Sequence, residues 1–136
     1  IVSIPVTGEI YYGIKDVGSF KIIDDKFTKL QINEKDLSKE GLKIVASASH
    51  LNKETKKYIN KFKNPVIVNT GSSIKLLWVA ENKADIYPRI APTSEWDTCA
   101  AHAVVKYAGG KVLQYDTNNE VIYNKENLLN PYFIVV

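Results

Sequence analysis

The sequence predicts an α/β fold, and three observations carry that prediction. From Leu42 onward, short apolar runs alternate with stretches of helical periodicity. Before Leu42 the chain holds only strand-like runs broken by turn signals. The composition, 45% hydrophobic and 24% charged, is that of a folded soluble protein rather than a disordered chain.

The elements follow in order. Ile1-Val2-Ser3-Ile4 and Ile10-Tyr11-Tyr12-Gly13-Ile14 flank Pro5-Val6-Thr7-Gly8, a turn-bearing connection that predicts a hairpin. Gly18 then punctuates before Ser19-Phe20-Lys21-Ile22-Ile23. Residues 1–32 thus read as an antiparallel meander with no helix of its own, whose uncovered apolar face calls for a partner segment. Residues 33–41, polar and charged, read as a linker ahead of an α/β domain over 42–136. There, residues 42–46 predict a strand, and residues 52–62 a helix with Asn52 as its N-cap. Residues 66–68 predict a strand and 73–81 a helix, with Ile74, Leu77, Trp78 and Glu81 at helical spacing. Ile86-Tyr87 starts a strand, residues 96–107 form a helix stopped by Gly109-Gly110, and residues 111–113 and 134–136 are strands.

Composition excludes several function classes. A net charge of +3 on 136 residues is too small by itself to mark a binder of nucleic-acid polymers or membrane surfaces. One cysteine excludes an internal disulfide and a cysteine-based zinc site, and two histidines leave little room for a His-rich centre. No apolar run approaches the roughly 18 residues of a membrane span, and the opening does not read as a signal peptide. A reducing, cytoplasmic setting is the expectation. The chain has no methionine and opens on a strand-like run, which suggests an upstream segment removed or carried elsewhere. Of its 18 basic residues 17 are lysine, and the single arginine is Arg89. A guanidinium offers a planar fork of donors matched to phosphate or carboxylate, which lysine cannot copy.

Three loop-to-helix junctions follow strands, where open α/β sheets place ligands. Ser47-Ala48-Ser49-His50 brings two hydroxyls and an imidazole to a helix entrance, suited to a phosphate or a base, although turn and cap chemistry explains it as well. Gly71-Ser72-Ser73-Ile74-Lys75 combines close backbone approach with Ser72 and Lys75 one turn apart. It reads either as a small anion site or as a Ser-capped helix with a solvated lysine, and it lacks the P-loop spacing. Thr93-Ser94-Glu95-Trp96-Asp97-Thr98 contains Ser94-x-x-Asp97, a capping-box pattern, while Asp97 could also ligate a divalent metal. One carboxylate does not hold a metal, and His102, five residues on, faces about 140° away. Cys99 reads as a small core residue, Trp78 and Trp96 as core rather than base-stacking platforms, and Lys53-Glu54-Thr55-Lys56-Lys57 as a solvated face.

Taken together and in order, Gly71-Ser72-Ser73-Ile74-Lys75, Val79-Ala80-Glu81, Ala84-Asp85-Ile86-Tyr87-Pro88-Arg89, Trp96-Asp97-Thr98-Cys99-Ala100-Ala101-His102-Ala103-Val104 and Ala108-Gly109-Gly110 resemble one family. It is the C-terminal half of the lithium-sensitive, magnesium-dependent phosphatases of the inositol monophosphatase superfamily, in particular its CysQ-type 3′(2′),5′-bisphosphate nucleotidases. Residues 1–32 are similar to the strands preceding that half, and Leu129-Asn130-Pro131 to its end. The resemblance implies the C-terminal portion of a layered α/β/α/β/α phosphatase fold, with residues 1–32 completing the sheet of an absent N-terminal domain. It implies Mg²⁺-aided hydrolysis of adenosine 3′,5′-bisphosphate to AMP and phosphate, a cytoplasmic role in sulfate assimilation, and a small-molecule nucleotide as partner. Asp97 would be the metal ligand and catalytic carboxylate beside the substrate phosphate, and His50, Ser72, Lys75 and Arg89 would contact the nucleotide.

Inositol monophosphatases resemble this pattern but carry a glutamate shortly before the Trp-Asp pair; here Arg89 stands eight residues before Asp97, and a guanidinium favours a second phosphate over a hydroxyl. The family's other metal ligands, a Glu and an Asp-Pro-x-Asp-Gly motif, have no match, so the piece alone is expected to be inactive. Three alternatives stand beside this reading: an inositol monophosphatase-like enzyme, a non-catalytic fragment binding a phosphorylated ligand, and a structural α/β module. A homodimer and a peripheral membrane contact stay open at this stage.

Overall fold

Alternation of apolar and polar residues drives the first quarter of the chain into a meander. In the computed structural model, which describes residues 1–47 and 51–136, β1 (Val2–Ile4), β2 (Glu9–Ile14), β3 (Gly18–Ile23) and β4 (Lys26–Leu30) form an antiparallel sheet in sequence order. The β3–β4 connection is the two residues Asp24-Asp25, both left-handed (φ 48° and 59°), which matches a hairpin turn to the twist of its strands. Register pairs Tyr11 with Lys21, and on the opposite face Tyr12 with Phe20, Ile10 with Ile22 and Ile22 with Phe27.

One of those faces is covered, contrary to the expectation of a meander without a helical layer. The helix α3 (Glu95–Tyr107) lies across β2 and β3. The Ser19 hydroxyl donates to the Val104 carbonyl at 2.6 Å in a buried contact. Gly13 is needed here, because a Cβ on it would stand 2.5 Å from the Ala103 carbonyl oxygen. Tyr11 and Leu30 join Val104, Val105, Val112 and Phe133 in one core. The other face stays open: Tyr12 and Phe20 stack at 5.3 Å, and Phe27 is 68% exposed.

The second half is built around a sheet whose inner strands are buried on both sides. β5 (Lys43–Ala46) and β6 (Val66–Asn69) pair in parallel. A parallel bridge from Ile44 to Ile86 connects them to β7 (Tyr87–Arg89). β7 in turn pairs antiparallel with β9 (Phe133–Val135), and β9 with β8 (Val112–Gln114). Period-2 alternation splits its side chains between two cores. Val45, Tyr87 and Val135 face α3 and α2 (Ile74–Ala80), whereas Ile44, Ile86 and Ile134 face the layer containing α1 (Lys53–Ile59). The result is a meander, a helical layer, a mixed sheet and a further helix, stacked in that order.

Local chemistry sets the helix limits. The Asn52 side chain accepts the Thr55 N–H at 2.8 Å, as its N-cap role predicts. α1 ends at Ile59, short of the predicted Phe62; Asn64 turns left-handed before Pro65. α2 is buried at five of its seven positions, as befits a helix wedged between two sheets. The Lys21 ammonium is held by Glu9 and, at 2.7 Å, by Glu81 just beyond α2, tying the meander to the helical layer. Among the described residues, no helix is long and apolar enough to cross a membrane.

The Gly13 contact is with backbone, which cannot yield as a flexible side chain would. Gly13→Ala is therefore expected to lower unfolding free energy by ~1–3 kcal/mol in a denaturant titration. An unchanged midpoint would show that the sheet and α3 are not locked at this point.

Candidate functional site

β5, β6 and β7 run in the same direction, and open sheets expose their ligand sites at such carboxyl ends. Ser47 follows β5, Ser72 and Ser73 follow β6, and Arg89 ends β7. These residues line a cleft of about 480 Å³ with Lys75, Tyr87, Thr93, Trp96 and Asp97. Three strand ends and the first turn of α3 thus converge on one space.

Lys75 is the most constrained side chain there. It is 5% exposed, among the described residues its Nζ donates only to the Thr70 carbonyl at 3.3 Å, and it lies 5.6 Å from the centre of the Tyr87 ring. Burial, reinforced by the Arg89 charge, holds its pKa below the ordinary lysine value. The Arg89 guanidinium donates through Nη2 to the Pro92 carbonyl at 2.9 Å, while its Nε–H is buried with no partner. Burial raises the Tyr87 hydroxyl to about 12, so it stays protonated between these cations. Neither Lys75 nor Arg89 has a carboxylate partner among the described residues. Two neighbouring cations with an orphaned donor form a site for an anion.

Asp97 lines the same cleft from the first turn of α3. The predicted capping box is present: the Ser94 N–H donates to Asp97 Oδ2 at 2.9 Å, and the Ser94 side chain accepts the Asp97 N–H. The carboxylate is therefore oriented yet exposed to the cleft. Among the described residues, no three His, Cys, Asp or Glu side chains gather as a metal cluster, so there Asp97 offers a cation one carboxylate.

The support around this turn was invisible to local sequence patterns. Asn130, buried, donates from its amide to the Ser94 carbonyl (2.8 Å), the Thr98 hydroxyl (3.0 Å) and the Thr93 hydroxyl (3.2 Å), bracketing Asp97 from 33 residues away. Glu95 accepts the Asn124 N–H at 2.7 Å and pairs with Lys125, whose hydrogen bond holds the Glu95 carboxyl below its usual range.

The cleft thus gathers four of the residues named from the sequence, Ser72, Lys75, Arg89 and Asp97; the fifth, His50, lies outside the described residues. Gly71 meets nothing within 4 Å of a Cβ, so the left-handed residue of this loop is instead Ser72 (φ 47°). His102 is buried and engaged elsewhere, with Nδ1 2.8 Å from the Tyr123 hydroxyl and Nε2 3.3 Å from Glu120. Burial, only partly opposed by Glu120, holds its pKa below the ordinary histidine value. Two expectations fail. Cys99 is exposed rather than core, and Trp96 is 71% exposed, because the inward face of α3 is Thr98, Ala101, His102 and Val105. Trp78, in contrast, packs against the core as expected.

Comparison with known proteins places this arrangement. The family described as the inositol monophosphatase family matches residues 1–132. The 3′(2′),5′-bisphosphate nucleotidase CysQ of Buchnera aphidicola is 37% identical over 120 residues, 85% of this chain and 45% of that protein. The protein of the same name from Escherichia coli K12 is 39% identical over 92 residues, 68% of this chain and 37% of its own length. The crystal structure of CysQ from Bacteroides thetaiotaomicron, described as a bacterial member of that family, superposes with a TM-score of 0.85 at 38% identity. It is matched over 98% of this chain and 55% of its own. The chain spans about half the length, or less, of these relatives.

The buried Lys75 should cost stability and confer anion affinity. Lys75→Met is expected to raise unfolding free energy by ~0.5–2 kcal/mol and to weaken phosphate binding at least ~10-fold by calorimetry. In the parent chain the sign runs the same way with pH. As Lys75 deprotonates between its lowered value and the unfolded 10.5, stability should rise and anion affinity fall. A Met variant that binds phosphate like the parent would remove Lys75 from the site.

Proposed function

The chain belongs to the inositol monophosphatase family, and from that premise we propose that it forms the substrate-binding half of a Mg²⁺-dependent 3′(2′),5′-bisphosphate nucleotidase. The observation that carries the reading is that Lys75 and the orphaned Arg89 Nε line one cleft together with Asp97. A mono-ester of a neutral sugar needs one phosphate site. A nucleoside bisphosphate needs two, and Lys75 with Arg89 supplies charge for the second.

In this reading each residue has a task. Arg89 and Lys75 hold the phosphate that is not cleaved, and Ser72 adds a hydroxyl to the same rim. His50, at the entrance to α1 by sequence, contributes to nucleotide binding. Asp97, oriented by the Ser94 N–H, holds one coordination position facing the phosphate that is removed. Mg²⁺, when bound, would neutralise the transferring phosphoryl group and activate water. Its remaining ligands would come from the other half of a protein of the relatives' length, in the cytoplasm, and no step of hydrolysis is assigned to these 136 residues alone.

An inositol monophosphatase-like activity is the second reading, favoured by the family as a whole. Arg89 separates the two. With the chain joined to the segment that completes its relatives, phosphate release in Mg²⁺ should be faster from adenosine 3′,5′-bisphosphate than from inositol 1-phosphate. Asp97→Ala should lower release by more than ~100-fold, and Arg89→Glu should cost the nucleotide roughly 10- to 150-fold in kcat/KM while sparing the inositol ester. Undiminished turnover by the Asp97 variant rejects the metal-ligand role, and preference for the inositol ester overturns the argument from Arg89.

A further inference from the structure

Asn130 engages only one end of its side chain, and that end meets the turn that carries Asp97. The residue is 8% exposed, and any further chain packed nearby could only cover it more. Its amide nitrogen donates to the Ser94 carbonyl at 2.8 Å and the Thr98 hydroxyl at 3.0 Å, with the Thr93 hydroxyl at 3.2 Å. Its amide oxygen is buried and, among the described residues, has no hydrogen-bond partner. An unpaired buried carbonyl opposes folding, so stability by itself does not explain an amide at this position.

Two successive peptide planes show what the engaged end does. In the plane joining Thr93 to Ser94, the carbonyl accepts the Asn130 backbone N–H at 2.9 Å, and the N–H donates to Asp97 Oδ2 at 2.9 Å. In the plane joining Ser94 to Glu95, the carbonyl accepts the Asn130 side chain and, at 3.0 Å, the Asp97 N–H. The N–H of that second plane donates to the Leu128 carbonyl at 2.9 Å. Asn130 therefore grips one plane through its backbone and the next through its side chain. Because each plane is rigid, holding the second limits how far the first can turn its N–H from the carboxylate. Thr98, immediately after Asp97, is tied to the same amide.

We propose that Asn130 is a positioning residue for Asp97, whose side chain holds the carboxylate in the orientation in which it serves a divalent cation. This rests on the metal-ligand reading of Asp97 above. It extends that reading to an amide that acts through Ser94 and Thr98 rather than by touching cation or substrate. Groups that orient a metal ligand typically carry about 10- to 100-fold in metal affinity or activity.

The test uses the chain joined to the segment that completes its relatives, with Mn²⁺ as a probe for the Mg²⁺ position. Asn130→Ala removes the donor and leaves space, whereas Asn130→Leu removes the donor and refills it. Both keep the backbone bond to Thr93, and agreement between them separates the lost donor from altered packing. Mn²⁺ affinity by calorimetry should fall roughly 10- to 100-fold in each, and kcat by a similar factor. KM for adenosine 3′,5′-bisphosphate, set by Lys75 and Arg89, should change little. Unfolding midpoints identify a variant that folds poorly, and the other variant then decides. In an Asp97→Ala background the Asn130 substitutions should lower residual turnover no further, because the group they act through is gone. An equal loss in both backgrounds marks a purely structural residue and overturns the positioning role. Parent-like Mn²⁺ affinity and kcat in the Asn130 variants, with Asp97→Ala crippled, overturns that role and leaves the proposed function standing. Undiminished turnover by Asp97→Ala overturns the two together.

Discussion

The close approach of α3 to the backbone of β2 and β3 is the constraint on which the rest depends. A helix that meets a sheet through large side chains sits about 10 Å away; here Gly13 and Ser19 allow the helix backbone itself into contact. That contact fixes α3 in its carboxyl-terminal half. The far end is then fixed by Asn130, Glu95 and the capping box, so the turn carrying Trp96 and Asp97 has little freedom left. The geometry of the cleft is thus set by contacts that never touch a ligand.

The cationic side chains of the cleft show a different balance. Lys75 and Arg89 are brought together without a carboxylate partner among the described residues, which opposes folding, and the cores on both sides of the second sheet supply the stability that offsets it. An anion entering the cleft finds donors already desolvated and oriented, so little of its binding energy is lost to ordering them. This is how a binding site persists in a structure that would be more stable without it.

Much of this was legible in the sequence because the signals were local. The strand–helix alternation, the Asn52 cap and the Ser94-x-x-Asp97 box each act within a turn or two, and each appears as predicted. Arg89 stood out by rarity alone. Exposure was harder to read: Cys99 and Trp96 look like core residues by type, but lie about 140–160° around the helix from Ala101, and that arithmetic was available. Asn130 was not. Its partners are more than thirty residues away, and nothing in Leu-Asn-Pro-Tyr announces a side chain that bonds across the fold. The helical cover over the meander was hidden for the same reason, since the contacts join residues 13 and 19 to residues 103 and 104.

The misread cysteine has a practical side. Cys99 is the chain's one thiol, it is exposed, and it shares with Asp97 the clamped amino-terminal part of α3. A spin label or fluorophore attached there would be confined to a single address without any engineering. Mounted on a helix whose ends are pinned, such a tag would tumble with the molecule instead of swinging on a loose segment. Its spectrum would then carry information about what enters the cleft rather than about its own tether.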